Sequence, residues 1–116
     1  NSNIKFHILS EDKMVQAGFR FIPEDKYTPA HWYLCKDLRN DISFNVSFPD
    51  DDIEQTDELM IDVLDEFFCQ PYDYQYLLSV NPENKLALEI KDKVEDIMEQ
   101  LTEAGIISGH ERGEYI

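Results

Sequence analysis

Residues 42–48 read ISFNVSF, and few seven-residue stretches leave a chain so little choice. Ile42, Phe44, Val46 and Phe48 fall on one side of an extended backbone, and Ser43, Asn45 and Ser47 on the other. Side chains alternate across a strand with period two, so this pattern specifies a strand with one covered face and one wet or lightly covered face, as in an antiparallel sheet.

What covers it is written near the end of the chain. In NPENKLALEIKDKVEDIMEQLTEAG (81–105), Leu86, Ile90, Val94, Ile97 and Leu101 recur at helical spacing. Asn81 is the expected N-cap, Pro82 suits the first helical position, and Gly105 is the expected stop. HWYLCKDL (31–38) and LMIDVLD (59–65) read as further strands, the latter with Leu59, Ile61 and Val63 inward, and RND (39–41) reads as a turn. The expected fold is therefore α+β: an antiparallel β-meander of three to four strands packed against a long C-terminal amphipathic helix. Trp32, Leu34, Phe44, Val46, Phe48, Ile61 and Val63 should meet the helical stripe in the core.

The flanking segments are shorter. IKFHIL (4–9) reads as a strand, and SEDKMVQAG (10–18) as a short helix capped by Ser10 and stopped at Gly18. FRFIPEDKYTPA (19–30), with Pro23 and Pro29, reads mainly as loop. DYQYLLSV (73–80) suits one or two helical turns. Ile106 and Ile107 are placed to pack, and 108–116 is expected to be a flexible tail of a single domain spanning 1–116.

Charge narrows the function classes. The 116 residues carry 25 acids against 10 Lys+Arg, a net −15. No Lys, Arg or His occurs between Arg39 and Lys85, a stretch that holds twelve acids. Such a chain opposes binding to nucleic-acid phosphates or anionic lipid, and it steers cationic partners inward. No apolar run approaches the roughly 18 residues of a membrane span, and no leader-like segment is present, so neither membrane nor direct nucleic-acid binding is expected. Cys35 and Cys69 are too few for a disulfide framework and read as reduced thiols of a cytoplasmic protein.

Motifs for chemistry fail one by one. PDDDIEQTDE (49–58) is no EF-type calcium loop, because its sixth ligand-series position is Gln55 and its twelfth is Ile61. The histidines His7, His31 and His110 have no zinc spacing, and no Gly-rich phosphate loop or nucleophile elbow occurs. His31 and Cys35, four apart on a predicted strand, share a face, but no third group is evident to orient them. His110 with Glu111 sits in a Gly-flanked tail, unlike the rigid scaffold that catalysis needs. No catalytic residue, metal ligand or cofactor is expected.

Binding features remain. The acidic positions Asp50, Asp51, Asp52, Glu54, Asp57 and Glu58 are expected to lie on a projecting loop between two core strands. Tyr72, Tyr74 and Tyr76 are candidate anchors, since tyrosine gives rigid contact area with a polar tip. On the long helix, Glu89, Asp92, Asp96, Glu99 and Glu103 lie opposite the apolar stripe at a rise of roughly 4.5–6 Å per step, close to the spacing of phosphates along a strand. Lys91 and Glu95 are placed to pair at i, i+4.

At QPYDYQYLL (70–78) and at EAGIISGHERGEYI (103–116) the chain resembles small acidic proteins encoded by phages and prophages of Gram-positive bacteria. The resemblance implies a bacterial cytoplasmic setting and an accessory role, and it carries over no reaction. The leading expectation is a non-enzymatic accessory protein that meets a basic protein partner through its acidic surface. A nucleic-acid-mimicking inhibitor, a small enzyme, and an oligomeric module using Ser43, Asn45 and Ser47 are the alternatives.

Overall fold

Alternation and helical periodicity place the main elements where the sequence puts them. The computed structural model describes residues 4–50 and 60–113. Five antiparallel strands form one sheet in the order β2 (Arg20–Ile22), β3 (His31–Arg39), β4 (Ile42–Pro49), β5 (Met60–Asp65), β6 (Gln70–Pro71). Two further strands, β1 (Lys5–Phe6) and β7 (Ile107–Ser108), pair antiparallel in a separate two-stranded sheet. The helices are α1 (Glu11–Gln16), α2 (Tyr74–Val80) and α3 (Lys85–Glu103), and α3 packs against the five-stranded sheet.

The meander is in register as the alternation requires. Phe44 and Val46 stand opposite Lys36 and Leu34 on β3, and opposite Val63 and Ile61 on β5. The covered face joins Ala87, Ile90, Val94, Met98 and Leu101 of α3 in one buried core. Every expected core position among the described residues belongs to it, with Ile61, Leu86 and Ile97 only partly buried at its rim; Leu59, expected inward, lies outside the described residues. Residues outside the predicted core complete it: Phe6 stacks on Phe48 at 3.9 Å between ring centroids, and Phe19 meets Phe48 edge-on at 5.5 Å. Ile4, Met14, Ile106 and Ile107 are also buried.

Four local expectations need correction. Residues 20–22 form β2, where a loop is expected; Pro23 follows the strand and ends it instead of preventing it. The cap of α3 is Asn84, whose side chain accepts from Ala87 N, while Asn81 closes α2. The 108–116 segment does not begin as a free tail, because Ser108 pairs with Lys5 and its hydroxyl lies 3.0 Å from His7 Nε2. Ser43, expected on the wet face, is fully buried and accepts from Asn45 Nδ2 at 3.0 Å.

α1 behaves as its sequence dictates. Ser10 Oγ accepts from Lys13 N, and Gly18 follows the helix at φ +102°, a left-handed conformation that L side chains rarely adopt. At the far side, Lys93 Nζ donates to Leu38 O and Arg39 Nη1 donates to Glu89 at 3.1 Å, tying α3 to the end of β3.

Candidate functional site

The turn from β5 to β6 is built by one aspartate. Asp65 Oδ1 accepts from Phe67 N at 3.1 Å and from Phe68 N at 3.2 Å, the local turn that a short acidic side chain favours. Glu66 N donates to Asp41 O at 2.7 Å, so this turn is anchored to the β3–β4 turn beside it. Cys69 leaves it at φ +53°. The outcome is an aromatic pair facing solvent: Phe67 and Phe68 are 71% and 66% exposed, edge to face at 4.9 Å. Asp41, Asp65 and Glu66 supply the nearby charge, in the stretch that contains no base.

The sheet face turned away from α3 carries polar order. Arg20 stands opposite Tyr33, Tyr33 opposite Ser47 and Ser47 opposite Met60, while two residues along β4 Asn45 stands between Cys35 and Asp62. The Arg20 guanidinium lies 6.0 Å from the Tyr33 ring centre, and Tyr33 OH donates to Asn45 Oδ1 at 2.8 Å. Burial, then the neighbouring Cys35 and the carboxylates Asp62 and Glu66, raise the Tyr33 pKa above its ordinary value. Asp62 and Glu66 join Tyr33, Asn45 and Met60 around a shallow groove of about 220 Å³. Asp62 Oδ1 is buried and has no hydrogen-bond partner.

Four of the nine expected contact residues, Asp50, Tyr72, Tyr74 and Tyr76, fall among the described residues. Asp51, Asp52, Glu54, Asp57 and Glu58 lie outside the described residues. Asp50 is exposed at the end of β4, where its carboxylate accepts from Trp32 Nε1 at 3.0 Å. It is at the opposite end of the strand from the phenylalanine turn, on the order of 23 Å away along β4. Tyr74, expected as an anchor, is only 3% exposed and belongs to the core. Tyr72 is half-buried against that core; burial and then Asp65 raise its pKa. Tyr76 alone of the three is well exposed.

The acidic row on α3 is interrupted by cations. Glu89 pairs with Arg39 and with Lys93, and Arg112 pairs with Asp96 and with Glu99 at 2.9 Å. Glu95 does not make the expected surface pair with Lys91. Its side chain is buried and its Oε2 lies 3.3 Å from Nε2 of His110, whose side chain is buried as well. Glu95 Oε1 and His110 Nδ1 have no hydrogen-bond partner.

His31 and Cys35, considered together for catalysis, stay apart. Four residues of extended strand separate His31 from Cys35 by about 13 Å between Cα atoms, beyond hydrogen-bond reach. His31 Nδ1 is engaged with Pro29 O at 3.0 Å. Among the described residues no group of three or more His, Cys, Asp or Glu is arranged to hold a metal ion, and no helix is long and apolar enough to cross a membrane.

Sequence reading did not single out Phe67 and Phe68. The available signal was the order Asp65-Glu66-Phe67-Phe68, in which an acidic turn former precedes two aromatics that no alternation carries inward. Comparison with protein-family models, with curated proteins and with solved structures finds no match.

Proposed function

We propose that this chain is a non-enzymatic protein-binding module whose partner presents an apolar pocket rimmed by Lys and Arg. The observation that carries this reading is the Phe67–Phe68 pair, exposed and fixed among Asp41, Asp65 and Glu66. Two aromatics held by backbone hydrogen bonds lose little entropy on docking, and buried aromatics supply much of the energy of interfaces. The surrounding carboxylates favour a basic rim and repel a second copy of a chain that carries −15. A phage or prophage accessory role in a bacterial cytoplasm, implied by the resemblance at 70–78 and 103–116, forms part of the proposal. Mimicry of nucleic acid draws less support, because Arg39, Lys93 and Arg112 break the charge row on α3.

The test is quantitative capture from bacterial lysate on immobilised wild-type chain and on a Phe67→Ser/Phe68→Ser variant, at low and high salt. One protein should be retained by the wild type, be lost from the variant and weaken with salt, since screening acts on exposed charges. For a purified partner, each truncated phenylalanine should cost about 2 kcal/mol, roughly thirtyfold in Kd. Retention indifferent both to the substitutions and to salt would reject the reading.

A further inference from the structure

We infer that the groove on the open face of the sheet, between Tyr33 and Asp62, receives an arginine side chain from the partner. This assignment rests on the protein-binding reading and names the chemistry of one contact within it. Asp62 is partly exposed and lines the groove, yet its Oδ1 is buried and accepts no hydrogen bond. A carboxylate can accept about four bonds, and one whose oxygen is removed from water without a donor is left electrostatically under-served. Asp62 stands opposite Asn45 and Asn45 opposite Cys35, so that row brings it no cation, and Arg20, opposite Tyr33 on β2, is three strands from β5, about 14 Å at the usual strand spacing.

The rest of the lining selects the donor. Glu66 adds a second carboxylate at the exposed end, and Met60, largely exposed, offers a polarisable wall for an aliphatic stem. Tyr33 presents an aromatic ring that already has one guanidinium over it. The Asn45 carbonyl oxygen is engaged by Tyr33, and its amide is turned to Ser43. A planar, weakly hydrated group with five donors suits a groove with apolar walls and acceptor-only ends better than a compact, strongly hydrated ammonium.

The probe is the N-acetylated, C-amidated tripeptide Gly-Arg-Gly, titrated at low salt into the ¹⁵N-labelled full chain. Resonances of Tyr33, Asn45, Asp62 and Leu64 should shift saturably, and Asp62→Asn, which keeps the shape, should weaken binding about tenfold or more. Glu66→Gln, at an exposed position, should weaken it by a few-fold, and it keeps the test decisive if Asp62→Asn alters the fold. Shifts spread over the acidic positions at large, undiminished in either variant, would overturn the assignment. Equal affinity for the corresponding Gly-Lys-Gly tripeptide would overturn the choice of guanidinium. Phe67→Ser/Phe68→Ser should leave tripeptide affinity unchanged. Loss of the tripeptide site alongside intact phenylalanine-dependent capture rejects the groove alone. A working groove without such capture rejects the partner reading, and with it the source of the arginine.

Discussion

Replacing His110 by Leu should destabilise the protein far more than replacing His110 and Glu95 together. The two side chains are 4% and 3% exposed and meet at 3.3 Å. In His110→Leu the Glu95 carboxylate stays buried, loses its one described partner, and already has an unpartnered Oε1. Removing one member of a buried pair costs about 3–5 kcal/mol. Glu95→Leu leaves an unpartnered imidazole instead, a loss of about 1–3 kcal/mol. With both replaced, no polar group is left without a partner, and the double variant should lie within about 1 kcal/mol of the wild type. The coupling from the cycle is then at least about 3 kcal/mol, a large share of the roughly 6–17 kcal/mol expected for a domain of this size. Urea unfolding reads it directly: with m of about 1–3 kcal/mol/M, His110→Leu should lower the midpoint by about 1–5 M at constant m. A His110→Leu shift under about 0.5 kcal/mol, or a double variant as unstable as the sum of the singles, would refute the reasoning.

Three more outcomes follow from local geometry. Gly18→Ala should cost about 1–2 kcal/mol in urea unfolding, because φ is +102° and the new Cβ would stand 3.0 Å from Leu34 Cδ1; a neutral result contradicts that geometry. Asn84→Ala should cost about 1 kcal/mol of stability and Pro82→Ala much less, whereas the reverse order would return the helix start to Asn81. Tyr33, with its pKa raised in the folded state, contributes stability that is complete below the unfolded value of about 10 and lost as pH rises through the folded value. Stability should therefore fall faster above pH 10 in the wild type than in Tyr33→Phe, and parallel pH profiles would count against a buried phenol.

The strands of the meander and the stripe of α3 were legible because each repeats one rule over several residues. Short elements were not. β2 is three residues long, too short for alternation to stand out beside Pro23. Asn81 and Asn84 both satisfy the chemistry of a cap, and only the end of α2 decides between them. Glu95 looks like a surface charge four residues after Lys91, and its burial depends on His110, fifteen positions away and placed by the return of β7. Tyr74 looks like an anchor in a run of tyrosines, yet α2 turns it into the core while Tyr76, two residues later, faces out. Sequence spacing carries faces and periods; it does not carry which distant element arrives to cover them.

The pairing of β1 with β7 also bears on how the domain assembles. His7 and Ser108 meet across 101 positions of chain. Closing a loop of that length costs about 3 kcal/mol more in chain entropy than closing a four-residue hairpin such as the turn between β3 and β4. The meander and α3 can gather first, and the two-stranded clasp should engage late, contributing to the unfolding rate more than to the folding rate. It should also be the first part to open below global unfolding, uncovering Phe6 and Ile107 together while the five-stranded sheet stays intact.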